Sequence, residues 1–229
     1  MNRFCILFLF FSFSTFAQQI DVVDFLKIEA SIGPNFTEKK IGGQYLVTFK
    51  MLQPADSVYV DAFKAVVADV ETRKFTISAS ESKIWFIGDF KKGKTYTAHF
   101  WYEMFPGQTL YFFEDQVWTQ GQGKYTSHWL PSIDDVNDKI EFDLSFIAPE
   151  NKTVIANGKL REIESDSHGK IWRFDMKQPM SSYLVAFAVG DFDKKELVSN
   201  SGIPIELYYK PSDSLKVEPT YRYSKQLFD

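Results

Sequence analysis

The chain has 229 residues, of which 45% are hydrophobic and 17% aromatic, and this is enough apolar material for one large buried core. Its formal net charge of −4 favours a soluble protein and argues against nucleic acid as a partner, because nucleic-acid binding needs a basic surface. The single cysteine excludes a disulfide framework.

Residues 1–17 have the pattern of a signal peptide. Arg3 supplies a positive start, residues 4–11 form an apolar stretch too short to span a bilayer, and the segment ends on the small residue Ala17. A retained membrane anchor is the competing interpretation. Cleavage near Gln18 would also remove Cys5. Because no transmembrane run follows, we expect an exported protein, secreted or periplasmic, with no membrane span in the mature chain.

From residue 21 to residue 111, short extended runs alternate with turns. Turn residues such as Gly42-Gly43 and Gly88-Asp89 separate the runs, and no helical stripe is long enough to compete. This spacing predicts an antiparallel sandwich or saddle. The extended runs are residues 45–49, 57–62, 66–70, 74–77, 83–87 and 95–104.

A polar loop follows, with two amides close together. Gln120 and Gln122 are two residues apart, so in an extended chain both side chains project from one face. The intervening Gly121 lets the backbone approach another surface closely. The loop therefore has the chemistry of a polar surface on which another group can dock. Two loop glutamines are, however, most often ordinary exposed residues.

The clearest strand runs from residue 140 to residue 146. Ile140, Phe142, Leu144 and Phe146 alternate with polar residues, which predicts one buried and one solvated face. Before this strand, the acidic residues near Asp135 predict a chain reversal, since Asp side chains cap turns.

Three further segments complete the β region. Asn157-Gly158 predicts a two-residue hairpin turn between residues 154–156 and 159–163. Residues 171–176 alternate again, and the continuously apolar residues 184–189 predict a strand buried on both faces. Residues 203–210 give the last predicted strand.

The pattern changes after Lys210. Pro211 breaks the extended run, and the spacing of Tyr221, Lys225 and Phe228 predicts the first turns of a helix. The predicted fold class is therefore all-β, an antiparallel sandwich or saddle with the start of a helical segment at the C-terminus. We divide the chain into a signal peptide (1–17), a β domain (18–210) and a linker that begins a further domain (211–229).

The chain offers no familiar catalytic or metal-binding pattern. The histidines His99, His128 and His168 are far apart, and no H-E-x-x-H pair is present. No G-x-S-x-G motif is present, and a mature chain without cysteine excludes Cys-His catalysis. The acidic cluster Asp134, Asp135 and Asp138 lacks the glycine and distant glutamate of a calcium loop, so turn capping explains it better.

The tryptophans allow one alternative role. Aromatic faces pack on the apolar faces of sugars, so five tryptophans could form a sugar-binding platform, whereas large aromatics in a sandwich are ordinarily packing residues. The five are Trp85, Trp101, Trp118, Trp129 and Trp172.

Five ordered elements resemble the N-terminal domain of the aminopeptidase N and leukotriene hydrolase family of zinc peptidases. Together they are far more specific than any one alone. In one of them this chain has Leu130-Pro131-Ser132-Ile133-Asp134, where family members more often carry an aromatic-Pro-Cys-Trp-Asp element. The elements are Thr119-Gln120-Gly121-Gln122, the Trp129-Leu130-Pro131 segment with Asp134-Asp135, residues 139–144, Ala156-Asn157-Gly158 and residues 179–192.

The resemblance implies a role in a zinc-dependent aminopeptidase that removes N-terminal residues from peptides. In that family the second amide of the loop helps to hold the free α-amino group of the peptide, so Gln122 is the expected substrate-binding residue and Gln120 its companion. The catalytic residues and the zinc are then expected in a downstream catalytic domain, with none in this chain. The expected partners are the peptide substrate and that downstream domain.

Two alternatives remain open at this point. One is a non-catalytic secreted β-sandwich that acts as a binding or interaction module. The other is an epoxide-hydrolysing relative, which would share the amide pair. A reading frame that continues past Asp229 into H-E-x-x-H favours the peptidase, whereas a stop codon there favours the module.

Overall fold

Strands dominate the computed structural model, which describes residues 19–72, 74–121, 123–167 and 169–229. Within those ranges the all-β prediction is confirmed. The strands are β1 (Val23–Asn35), β2 (Lys40–Met51), β3 (Ala55–Asp61), β4 (Val66–Ala68), β5 (Thr76–Ala79), β6 (Lys83–Phe90), β7 (Thr95–Met104), β8 (Leu110–Phe113), β9 (Gln116–Thr119), β10 (Ile140–Ala148), β11 (Thr153–Ala156), β12 (Lys159–Asp166), β13 (Gly169–Met180), β14 (Phe187–Gly190), β15 (Asp193–Val198) and β16 (Pro204–Tyr209).

The strands form one large sheet and three small ones. The seven-stranded sheet has the order β12-β13-β10-β1-β2-β7-β4, the four-stranded sheet the order β11-β14-β9-β8, and the three-stranded sheet the order β3-β6-β5. Strands β15 and β16 form a two-stranded ribbon. The pairing of β1 with β10 is parallel, and the other pairings of these strands are antiparallel.

The core lies between one face of the seven-stranded sheet and the two intermediate sheets. Phe49 on β2 stacks on Phe86 of the three-stranded sheet, with ring centroids 5.6 Å apart. Phe146 on β10 contacts Phe187 of the four-stranded sheet, with centroids 4.7 Å apart. The apolar positions predicted on the strand at 140–146 are all buried in this core. The opposite face of the seven-stranded sheet is therefore left to solvent.

The first strand was missed in the prediction from the sequence, and the second one was predicted too short. Gly42-Gly43 was interpreted as a separator, but both glycines lie inside β2, and β1 was not predicted. A Cβ at Gly42 would lie 2.4 Å from the Tyr102 carbonyl oxygen, and one at Gly43 would lie 1.7 Å from that of Ser31. The glycines allow three strands to approach closely, which is a strand-interior role rather than a turn.

The hairpin predicted at Asn157-Gly158 is wrong. β11 pairs with β14 and β12 pairs with β13, so the chain passes there from one sheet to another. The local chemistry was interpreted correctly, since Gly158 has φ of 90°. The Asn157 side-chain oxygen accepts a hydrogen bond of 2.6 Å from the Ala186 backbone amide, and this bond ties the crossing to the segment just before β14.

The doubly buried strand predicted at 184–189 is also wrong. Residues Ser182–Leu184 form a 3-10 turn, and β14 begins only at Phe187. Leu184 and Ala186 are exposed, whereas Phe187 and Val189 are buried. The four-stranded sheet has one face on the core and one in solvent, so its strands alternate.

The C-terminal region turns helical, as predicted. A 3-10 turn at Pro211–Asp213 leads into α1 (Ser214–Tyr221), and α2 (Ser224–Leu227) follows. Further 3-10 turns lie at Gln19–Asp21 and Thr126–His128. Among the described residues, none of the helices is long and apolar enough to cross a bilayer.

We expect Phe49→Ala to lower the free energy of unfolding by about 3–5 kcal/mol, because it removes a ring at the centre of an aromatic cluster. Phe49 is fully buried and contacts Phe25, Phe75, Phe86, Phe90 and Tyr96. Urea unfolding followed by circular dichroism measures the change. In Phe113→Ala, which removes a 58% exposed ring, the loss should stay within about 0.5 kcal/mol. Similar losses in both variants would contradict this assignment of the core.

Candidate functional site

The polar loop at residues 119–129 leaves the end of β9 and is fixed there by backbone contacts. The Thr119 hydroxyl donates to the Phe187 carbonyl oxygen at 3.2 Å and accepts from the Phe187 amide at 2.9 Å. The backbone N–H of Gln120 donates to the Thr109 carbonyl oxygen at 2.8 Å. The loop therefore starts from a position set by two neighbouring strands of the four-stranded sheet. We call residues 119–129 the amide loop.

The far end of the amide loop is fixed as well. The buried Thr126 hydroxyl donates to the Ser182 carbonyl oxygen at 2.9 Å, and the Thr109 hydroxyl donates to the Tyr125 carbonyl oxygen at 2.8 Å. Tyr125 has φ of 77°, so the backbone turns sharply where the loop returns to the core. The loop ends on Trp129, which is fully buried.

Of the two predicted substrate-binding residues, Gln120 lies on the surface. Its side chain is exposed and makes no hydrogen bond to any described residue, so its amide is available to a ligand. Gln122 lies outside the described residues. Between them, a Cβ at Gly121 would lie 3.1 Å from the Tyr183 carbonyl oxygen, so this part of the loop runs against the 3-10 turn before β14.

His128 belongs to the packing of the loop. Its ring stacks on Phe63 with centroids 4.4 Å apart and an interplanar angle of 10°. Its Nδ1 is buried without a partner among the described residues, and burial lowers the pKa of the ring. A stacked imidazole of this kind supports the loop.

The acidic cluster caps turns around the loop. The Asp135 side chain accepts hydrogen bonds from the Asn137 backbone and side-chain amides at 2.8 and 3.1 Å. The Asp134 carboxylate accepts from the Ser127 hydroxyl at 2.5 Å. Asp138 differs, because one of its oxygens is buried without a partner in the described part of the chain, and burial raises its pKa to about 7 with help from Asp24 and Asp135.

The histidines are not brought together. His99 Nδ1 lies 2.8 Å from a Glu71 carboxylate oxygen, and His168 lies outside the described residues. Across the described ranges, no group of three His, Cys, Asp or Glu side chains is close enough to hold a metal ion.

The tryptophans do not form a single platform. Trp85 belongs to the three-stranded sheet, Trp118 to the four-stranded sheet, and Trp101 and Trp172 to the seven-stranded sheet. Trp129 is buried, whereas Trp101 is 42% exposed and Trp118 is 37% exposed. Packing is thus the main role of the buried ring, and the two exposed rings lie on different sheets.

Comparison with known proteins identifies related sequences. The model of the family described as "Peptidase M1 N-terminal domain" matches residues 27–184. Glutamyl aminopeptidase of Homo sapiens is 33% identical over 100 residues, which are 43% of this chain and 10% of that protein. Aminopeptidase N of Homo sapiens is 30% identical over 98 residues, which are 41% of this chain and 10% of that protein.

Solved structures share the fold. An M1 zinc metallopeptidase mutant from Deinococcus radiodurans, bound to a Tyr-Ser-Ala substrate, matches with a TM-score of 0.74 at 14% identity, over 83% of this chain and 48% of that one. A two-domain M1 zinc metallopeptidase mutant bound to L-arginine matches with a TM-score of 0.74 over 89% of this chain and 52% of that one. This chain thus spans about half the length of these structures.

We expect Thr126→Val to lower the free energy of unfolding by about 1–3 kcal/mol, because it keeps the side-chain volume but leaves the Ser182 carbonyl without its buried donor. Urea unfolding measures the loss. Thr95→Val is the matched control, since Thr95 is exposed on a strand and its hydroxyl makes no hydrogen bond to a described residue. Equal stability of the two variants would show that this bond does not hold the loop.

The buried carboxyl of Asp138 should make stability depend on pH. Its pKa in the fold is about 7, above the ordinary value of 3.8, so the protonated form is favoured by folding and stability should fall as pH rises from about 4 to about 7. The Asp138→Asn variant should lack this pH-dependent loss of stability. Thermal unfolding of both proteins across this pH range measures the difference. Asp89→Asn, a change at an exposed carboxylate, should leave the profile as in the parent. A parent profile that rises over the same range would contradict this account.

Proposed function

Because the chain belongs to the peptidase M1 N-terminal domain family, we propose that it forms the substrate-cleft domain of an exported, zinc-dependent aminopeptidase. The reaction is removal of N-terminal residues from peptides. The observation that carries the proposal is the exposed side-chain amide of Gln120, which has no hydrogen bond to a described residue, on a loop whose two ends are both held by hydrogen bonds. Such a loop holds polar groups at a fixed place, as is required of a domain that forms one side of a substrate cleft and recognises the substrate.

The amide loop reads the free amino group of the peptide in this proposal. A glutamine side-chain oxygen accepts a hydrogen bond from an ammonium group but carries no charge. Gln122 makes this contact, and Gln120, two residues earlier on the loop, supports it. Because charge-assisted bonds are the stronger ones, the ammonium also needs a carboxylate, which the downstream domain supplies.

Zinc belongs to the downstream domain rather than to this chain. The described residues do not fit the metal, since the ring of His99 contacts Glu71 and the ring of His128 is stacked on Phe63. When bound, zinc supplies an activated water for peptide hydrolysis. This chain contributes recognition to that reaction.

The proposed division of the chain follows the change from strands to helices. Residues 1–17 form the signal peptide, residues 18–210 the β domain, and residues 211–229 the linker that begins the catalytic domain. The end of β16 at Tyr209 and the start of α1 at Ser214 support a boundary near residue 210. The signal peptide is what makes the enzyme secreted or periplasmic.

In the full-length enzyme, we expect Gln122→Ala to raise KM for peptides about fivefold to tenfold with little change in kcat. The reason is that the amide binds the ammonium equally in the ground state and the transition state, and one hydrogen bond is worth roughly 1 kcal/mol. Steady-state kinetics with a dipeptide and a tripeptide measure the effect.

Two controls make the test specific. Gln53→Ala changes an exposed glutamine on the turn after β2 and should leave the kinetics unchanged. An N-acetylated peptide, assayed as a competitive inhibitor, should bind the Gln122→Ala variant as well as it binds the parent enzyme. Unchanged peptide KM, or an equal loss for the acetylated peptide, would reject a role of Gln122 in reading the amino group.

A further inference from the structure

The solvent face of the seven-stranded sheet carries a row of five residues that come from five strands. The cross-strand pairs Arg173 with Ser145, Ser145 with Ser31, Ser31 with Gln44, and Gln44 with Trp101 place them side by side. Directly paired residues project from the same face of a sheet. Their neighbours along each strand point into the core, so the whole row faces outwards.

The row has the shape of a trough. Ser31 at its centre is small. At one end Arg173 reaches over the buried Ser145 and donates to its hydroxyl at 3.4 Å, and at the other end stands the indole of Trp101. With neighbouring strands about 4.8 Å apart, the four steps from β13 to β7 span roughly 19 Å. Two hollows, of about 300 Å³ and 180 Å³, adjoin at Ser31, and Gly33 and Gly42 leave the second one open beside Trp101.

The charges along the trough are already compensated. Each Asp, Glu, Lys, Arg or His side chain that lines the two hollows has an ion-pair or hydrogen-bond partner, so within the hollows no described charge is left without one. The contacts are Lys27 with Glu29 at 3.0 Å, Lys27 with Asp143 at 3.3 Å, Lys40 with Glu103 at 2.9 Å, Arg173 with Glu164 at 2.8 Å, and His99 with Glu71 at 2.8 Å.

The groups left free in the trough are an aromatic face and neutral hydrogen-bonding groups. Trp101 is 42% exposed. The side chains of Gln44 and Ser31 make no hydrogen bond to a described residue, and Gln44 is exposed. A pyranose ring has the matching chemistry, with an apolar C–H face that packs on an indole and hydroxyls that pair with amide and hydroxyl groups.

We propose that this trough binds a neutral oligosaccharide chain, with one sugar ring stacked on Trp101 and others hydrogen-bonded by Gln44 and Ser31. The site goes beyond the proposed peptidase role and is separate from the amide loop. The loop extends from the four-stranded sheet, which packs through Phe187 on the opposite, buried face of the seven-stranded sheet. A bound glycan would therefore leave the amide loop uncovered and could hold the enzyme on a polysaccharide surface.

The test is isothermal titration of the full chain with four neutral hexasaccharides: cellohexaose, mannohexaose, xylohexaose and chitohexaose. At least one should bind with a dissociation constant in the micromolar to low-millimolar range. Trp101→Ala should weaken that binding about tenfold or more, because stacking on the indole is lost, and Gln44→Ala should weaken it a few-fold. Trp101→Phe, which keeps an aromatic face, should recover most of the affinity.

Trp118→Ala is the matched control, since Trp118 is 37% exposed but lies on the four-stranded sheet, and it should bind as the parent does. Circular dichroism confirms that each variant is folded. Absence of binding to all four sugars at about ten times the upper limit of that range would overturn the proposal. So would equal losses in the Trp101 and Trp118 variants, or a salt-sensitive preference for an acidic oligosaccharide such as polygalacturonate.

Discussion

The hydrogen bonds that hold the amide loop to β14 and to the 3-10 turn before it are the constraint on which the proposed site depends. A neutral amide contributes little binding energy by itself, so it is useful only if its position is fixed in advance. Thr119 and Thr126 hold the two ends of the loop, because each hydroxyl is bonded to backbone of residues 182–187. That segment is in turn held to the large sheet by the contact between Phe187 and Phe146. The aromatic core thus determines where the loop can present its polar groups.

The sequence was sufficient to predict the position of a strand with one buried face. It was not sufficient to predict which strands pair with each other. The alternation from Ile140 to Phe146 was sufficient, because burial of one face requires that period. Asn157-Gly158 has the local chemistry of a hairpin turn, yet β11 and β12 join different sheets. Turn residues fix local dihedral angles, whereas the pairing of a strand depends on which distant apolar surfaces it covers. The glycines of β2 show the same limit, since close strand approach and turn formation both favour glycine.

The candidate site was only partly predictable. The resemblance assigned roles to Gln120 and Gln122. It included Thr119 in the same element without a role, and it did not include Thr126. The partners of Thr119 and Thr126 lie 68 and 56 residues away, so nothing local in the sequence marks these hydroxyls as donors to distant backbone. The outer trough was harder still, because its row joins residues of five strands that are distant in sequence. The sequence contains five tryptophans, and the strand register is needed to show that Trp101 lies in that row.

A crystal structure of the full-length protein with a peptide bound would test the central claim most directly. The account predicts that the Gln122 side-chain oxygen lies about 2.7–3.2 Å from the α-amino nitrogen of the peptide. It also predicts that the hydroxyls of Thr119 and Thr126 keep their bonds to Phe187 and Ser182 in the complex. A peptide whose amino group is held entirely by other residues, with the amide loop out of contact, would contradict the assignment of this domain as one side of the substrate cleft that recognises the substrate.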